Sequence, residues 1–96
     1  MVYNEDIAFA VIEHSKNYYE FYYELLDYIT EYFPHTESGI QGDAYIWIKN
    51  NEHRVSVDTF GAMQFEIKSD SKNTLLQDVI ETIQKKYPVR LYDTYL

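Results

Sequence analysis

The sequence predicts an α+β domain built as a two-layer sandwich, with helices laid on one face of a small antiparallel sheet. Three observations carry that expectation. Apolar residues recur at helical spacing near both ends of the chain, polar and apolar residues alternate strictly across the middle, and Pro34 and Pro88 each close a helical pattern. The expected order is a long helix with a break in it, a three-stranded meander, a second helix and a C-terminal strand. The 96 residues and the 46 % hydrophobic share suit one folded domain spanning 1–96 rather than a disordered chain.

Asn4 is placed to cap the first helix, and Glu5 and Asp6 suit its positive end. Positions 7, 11, 18, 22, 25, 29 and 32 then carry apolar or aromatic side chains at 3–4 spacing, with His14 filling the one gap. Phe9 is out of phase and falls among the acids of the opposite face. A break at Ser15-Lys16-Asn17 accommodates it, giving a short helix and then a longer one from 17 to 33. Pro34 ends the pattern.

Residues 39–42, Gly-Ile-Gln-Gly, read as loop, and three strands follow. Asn50-Asn51 is a two-residue hairpin turn because asparagine tolerates positive φ, which sets Lys49 against Glu52, Ile46 against Val55 and Ala44 against Val57. A loop at Phe60-Gly61-Ala62 sets Thr59 against Met63, Val57 against Phe65 and Val55 against Ile67. Both hairpins then put Ala44, Ile46, Ile48, Val55, Val57, Phe65 and Ile67 on one face. The other face carries Tyr45, Trp47, Arg54, Ser56, Asp58, Gln64, Glu66 and Lys68.

The second helix is predicted over 73–86, with Leu75, Leu76, Val79, Ile80 and Ile83 as its buried stripe. Asn73 competes with the Thr74/Gln77 capping box for its start. Val89–Tyr92 is the last strand, and the residues after it make a short, polar edge. A strand reached through a helix usually runs parallel to its partner, so it is expected beside the first strand, in order 4-1-2-3, with both helices on the aliphatic face.

The charge is uneven. Of the net −8, residues 1–37 carry −7, from eight acids and Lys16 alone. Seven of the eleven tyrosines also fall within the first 32 residues. On a helix, Glu13, Glu20, Glu24, Asp27 and Glu31 line one stripe about 27 Å long, opposite the core face. Like charges at i,i+4, such as Glu20/Glu24 and Asp27/Glu31, destabilise a helix, and Lys16 is the sole base available to offset them. The function expected from this pattern is a non-catalytic acidic module of inhibitor, immunity or regulatory type, docking on a basic protein partner.

The mixed sheet face offers a second surface: Tyr45, Trp47, Arg54, Asp58 and Glu66 bring together residue types that dominate interfaces. Two copies meeting there form a homodimer, the alternative structural role. A third alternative is a small enzyme built on the loop residues His35, Glu37 and Asp43, or on Arg54 and Asp58. His14, His35 and His53 share no metal-binding spacing, no serine sits in a nucleophile elbow and there is no cysteine, so no metal and no cofactor is expected. The acidic balance argues against direct nucleic-acid binding. The lack of a long apolar run and the acidic start argue for a soluble cytoplasmic protein without membrane contact.

Overall fold

The computed structural model describes residues 9–41, 43–59 and 64–92. Eight elements follow one another there: β1 (Phe9–Ile12), α1 (Tyr18–Tyr32), β2 (Thr36–Gln41), β3 (Asp43–Lys49), β4 (Arg54–Asp58), β5 (Glu66–Ser69), α2 (Thr74–Gln84) and β6 (Val89–Tyr92). The strands form one antiparallel sheet in the order β2-β3-β4-β5-β1-β6. The two-layer α+β class is the one the sequence predicts. Two strands and the position of β6 are not.

The first correction is β1. Phe9-Ala10-Val11-Ile12 is strand where helical spacing was expected, and all four side chains are buried. It lies between β5 and β6, so both of its edges are hydrogen-bonded. Ala10 and Ile12 enter the main core, while Phe9 and Val11 face the other way and pack with Tyr92, Phe9 stacking on its ring at 4.7 Å. A strand buried on both faces shows a continuous apolar run, which mimics a stretch of buried helix. The expected helix start at Asn4, Glu5 and Asp6 lies outside the described residues.

The long helix is therefore α1 alone. Asn17 caps it, its side chain accepting the Tyr19 N–H at 2.9 Å. Phe21, Tyr22, Leu25 and Ile29 are its buried face. On α2, Asn73 wins the competition for the cap by accepting the Leu76 N–H at 2.9 Å, and the five residues expected to be buried are buried. Both helices share one core with Ala44, Ile46, Ile48, Val55, Val57, Phe65 and Ile67, so the aliphatic face is the covered one.

The second correction is β2. Thr36–Gln41 is a strand paired with β3 along its whole length, not a loop. It includes Gly39, opposite Tyr45, whose ring occupies the space a side chain would take: a Cβ there meets the Tyr45 hydroxyl at 2.9 Å and two ring carbons at 3.1 Å, so a larger residue must push that ring aside. The Tyr45 ring lies over the bare backbone of Gly39.

Register differs from expectation by two residues in both hairpins. Ile46 pairs with Val57 and Ile48 with Val55, while Val57 pairs with Ile67 and Val55 with Ser69. An even slip keeps every side chain on its expected face, which is why the two faces are nonetheless sorted as predicted. The cause lies in Asn50. Its side-chain oxygen accepts the N–H groups of Glu52 and His53 at 2.9 and 2.7 Å, so the turn closes on Lys49–Arg54. The expected loop at Phe60-Gly61-Ala62 and the Thr59–Met63 pair lie outside the described residues.

The third correction is β6, which pairs antiparallel with β1 at the far side of the sheet from β3. The parallel relation expected of a helix-linked strand does hold, but one strand removed: β5 and β6 are both antiparallel to β1 and so run parallel to each other across it.

Candidate functional site

The acidic residues of the N-terminal segment separate into two groups. Glu13 is off the helix, in the turn after β1, where its carboxylate meets Arg90 at 2.9 Å. Glu24 is on α1 but faces inward to a small polar node: it is ion-paired with Lys16, and the Tyr87 hydroxyl donates to it at 2.7 Å. Glu20, Asp27 and Glu31 remain on the outer face of α1, and none forms an ion pair among the described residues. They fall within roughly 60° of one another around the helix and span about 16 Å along it. On the same helix Tyr19, Tyr23 and Tyr32 are 47, 59 and 56 % exposed.

Beneath Glu24 lies an aromatic seam between α1 and the turn after α2. Phe21 carries His14 stacked on one side at 4.0 Å and Tyr87 edge-on at 5.0 Å. Tyr28 donates to the Thr82 carbonyl at 2.6 Å, and the Lys86 ammonium sits 5.0 Å from its ring centroid. A cleft of about 160 Å³ opens here, lined by His14, Lys16, Phe21, Glu24 and Tyr87. The Lys16 contact first, and the Tyr87 hydroxyl second, hold the Glu24 carboxyl below its usual range. Burial first, and the adjacent carboxylate second, push Tyr87 well above the usual phenol range, while burial likewise raises Tyr22 and Tyr28. A phenol held neutral against a carboxylate clamps two segments together; as a nucleophile or base it is disfavoured.

These shifts fix a pH dependence. Tyr22, Tyr28 and Tyr87 have folded pKa values above their unfolded ones, so their contribution is whole below about pH 10 and is lost as pH climbs toward the folded values. Glu24 acts at the opposite limb: its contribution is present above the unfolded carboxylate pKa and disappears as pH falls through the lowered folded one. Titration of phenolate absorbance should show Tyr22, Tyr28 and Tyr87 ionising late, together with alkaline unfolding, and Tyr87→Phe should remove one of these late ionisations. Uniform titration of all eleven near pH 10 in the folded protein contradicts this picture.

On the helix-free sheet face, Tyr45, Trp47 and Arg54 come together as expected. Trp47 is half-buried, packs on Tyr45 at 4.7 Å, and has the Arg54 guanidinium 4.4 Å from its ring centroid. Asp58 is expected on this open surface but is only 3 % exposed. Lys68 reaches Asp58 and Glu66, each at 3.2 Å. Burial alone lowers the Lys68 pKa, yet the two carboxylates outweigh it and hold the ammonium above its usual range. Asp58 and Glu66 are thus engaged within the sheet, and Arg54 keeps different neighbours from Asp58.

The loop cluster is not assembled. Glu37 is on β2, ion-paired with Lys49 at 2.7 Å, and Asp43 begins β3 opposite Gln41. Glu37 and Gln41 are four positions apart, about 13 Å of strand, and His35 lies farther still. Among the described residues no group of three or more His, Asp or Glu side chains is placed to hold a metal ion. At the β3–β4 turn, His53 Nδ1 is buried and 3.6 Å from Asp70, too far for a hydrogen bond, in a broad open depression of about 590 Å³. Sequence reading missed the Phe21–Tyr87–Glu24 node, because it joins residues more than sixty positions apart that no local spacing links.

No helix among the described residues is long and apolar enough to cross a membrane. Compared with known proteins, this chain has no match among family models, curated proteins or solved structures.

Proposed function

We propose that the protein is a non-catalytic binding module whose outer α1 face docks on a basic protein partner. One observation carries this reading: Glu20, Asp27 and Glu31 stand exposed without an intramolecular ion pair among the described residues, on the helix that also exposes Tyr19, Tyr23 and Tyr32. Unpaired like charges cost a helix a few tenths of a kcal/mol per i,i+4 pair, a sacrifice that a docked basic surface turns into attraction. Tyrosine adds contact area at low entropic cost. The acidic surface is shorter than the sequence suggests, since Glu13 and Glu24 are neutralised within the molecule. The Tyr45–Trp47–Arg54 patch is the weaker docking surface, because Trp47 is already in contact with two neighbours.

The test is capture from native lysate by the wild type and by a triple variant, Glu20→Gln, Asp27→Asn and Glu31→Gln. A basic protein bound at low salt, released at high salt and not held by the triple variant is the expected result. A partner held equally at both salt extremes, or equally by the variant, refutes the electrostatic reading.

A further inference from the structure

We infer that a second copy of this chain pairs with the free edge of β2, joining two sheets into one of twelve strands across a two-fold axis at Ser38. Among the described residues β2 has a strand on one side only. The phase of its hydrogen bonds is fixed by Lys49, whose N–H donates to the His35 carbonyl at 2.9 Å. Since bonded pairs alternate in an antiparallel ladder, residues 35, 37, 39 and 41 turn their backbone groups toward β3. Thr36, Ser38 and Ile40 therefore turn theirs outward, three N–H and three C=O groups in a row.

Natural edges are usually blunted by shortness, by proline or by charge. The opposite edge, β6, has four residues and includes Arg90. β2 has six residues, no proline inside it, and one charged side chain, Glu37, already neutralised by Lys49. It is an unguarded edge.

The occupant follows from the pattern of β2 itself. Pairing a copy antiparallel about Ser38 sets Ser38 against Ser38 and Thr36 against Ile40 as the hydrogen-bonded pairs, so every outward group on both strands is used. The pairs between them set Glu37 against the bare backbone of Gly39, beside the Tyr45 hydroxyl. Centring on residue 37 instead opposes two glutamates directly, which is destabilising. Centring on residue 39 leaves Thr36 without a partner inside the strand. The strand is thus self-complementary in one register, as an isologous interface requires.

This pairing is independent of the α1 docking face, and salt separates the two. Copies that each carry −8 repel, so added salt tightens the dimer while it loosens a basic partner. Sedimentation of the purified chain across a concentration series should show a species of twice 11.5 kDa. Ser38→Pro should return it to monomer: among the described residues the Ser38 N–H has no partner within the protomer, so within the protomer the proline gives up the Ser38 hydroxyl's hydrogen bond with Tyr22 but no rung of the ladder. Trp47→Asp should leave the dimer intact. Amide exchange on the wild type provides a check that needs no variant, with Thr36, Ser38 and Ile40 gaining protection as concentration rises. A wild type monomeric at every concentration, a dimer that survives Ser38→Pro, or those three amides exchanging alike at all concentrations overturns the proposal.

Discussion

Ala10→Pro should cost roughly 2–6 kcal/mol of folding stability, a large share of what a domain of this size has. The Ile12 N–H donates to the Phe65 carbonyl at 2.9 Å, so alternation makes Ala10 and Ile67 the next bonded pair of that ladder. Proline deletes the donor and strands a buried carbonyl, a loss of about 1–3 kcal/mol. Its ring must also fit where Ala10 is 0 % exposed, adding about 1–3 kcal/mol of overpacking. A domain of this size commonly has only about 5–15 kcal/mol in total. Urea titration followed by far-UV circular dichroism measures the loss, and a midpoint equal to wild type removes β1 from the centre of the sheet. Ser38→Pro should cost the protomer far less, since at an outward-facing N–H the same residue breaks no rung of the ladder and gives up the Ser38 hydroxyl's bond with Tyr22.

Phe21→Ala is the second large effect, at about 3–5 kcal/mol. Phe21 is 1 % exposed and its ring touches His14, Phe65 and Tyr87, members of three separate segments. Truncation opens a cavity beneath the Glu24–Tyr87 hydrogen bond, so the node on the surface should loosen along with the core. The expected signature is a lower denaturant midpoint together with a late-titrating Tyr87 returned toward ordinary phenol behaviour. A loss near 1 kcal/mol, or an unaltered Tyr87, shows that the seam is not one packed unit.

What the sequence made legible, and what it did not, follows a physical division. The middle strands and α2 were readable because each buries one side and wets the other: Ile46 and Ile48 alternate with Tyr45 and Trp47, and Leu76, Val79, Ile80 and Ile83 keep to one stripe. β1 was not readable, since burial on both faces erases alternation, although the misfit of Phe9 in the helical phase was the signal that the phase was wrong. β2 hid for the opposite reason. Thr-Glu-Ser-Gly-Ile-Gln has little intrinsic strand pattern and is held extended by β3 and by the ring of Tyr45. Of the candidate site, the exposure of Glu20, Asp27 and Glu31 on one side of α1 was readable from helical spacing, though only as part of a five-acid stripe that also held Glu13 and Glu24. The ion pair of Glu13 with Arg90 and the hydrogen bond of Glu24 with Tyr87 were not, because Arg90 and Tyr87 approach only after the chain has folded, whereas Lys16, the ion-pair partner of Glu24, is close in sequence.

The pairing of β1 with β6 has a mechanical consequence. Phe9 and Tyr92, the outermost residues of those strands, face each other across the ladder, and the strands run away from that point side by side. Tension applied at these two residues opens the ladder rung by rung from one end, as a zipper parts. It does not drag one strand lengthwise past the other, which would strain every rung at once. Along this direction the molecule yields to a weak pull, however firmly its interior is packed.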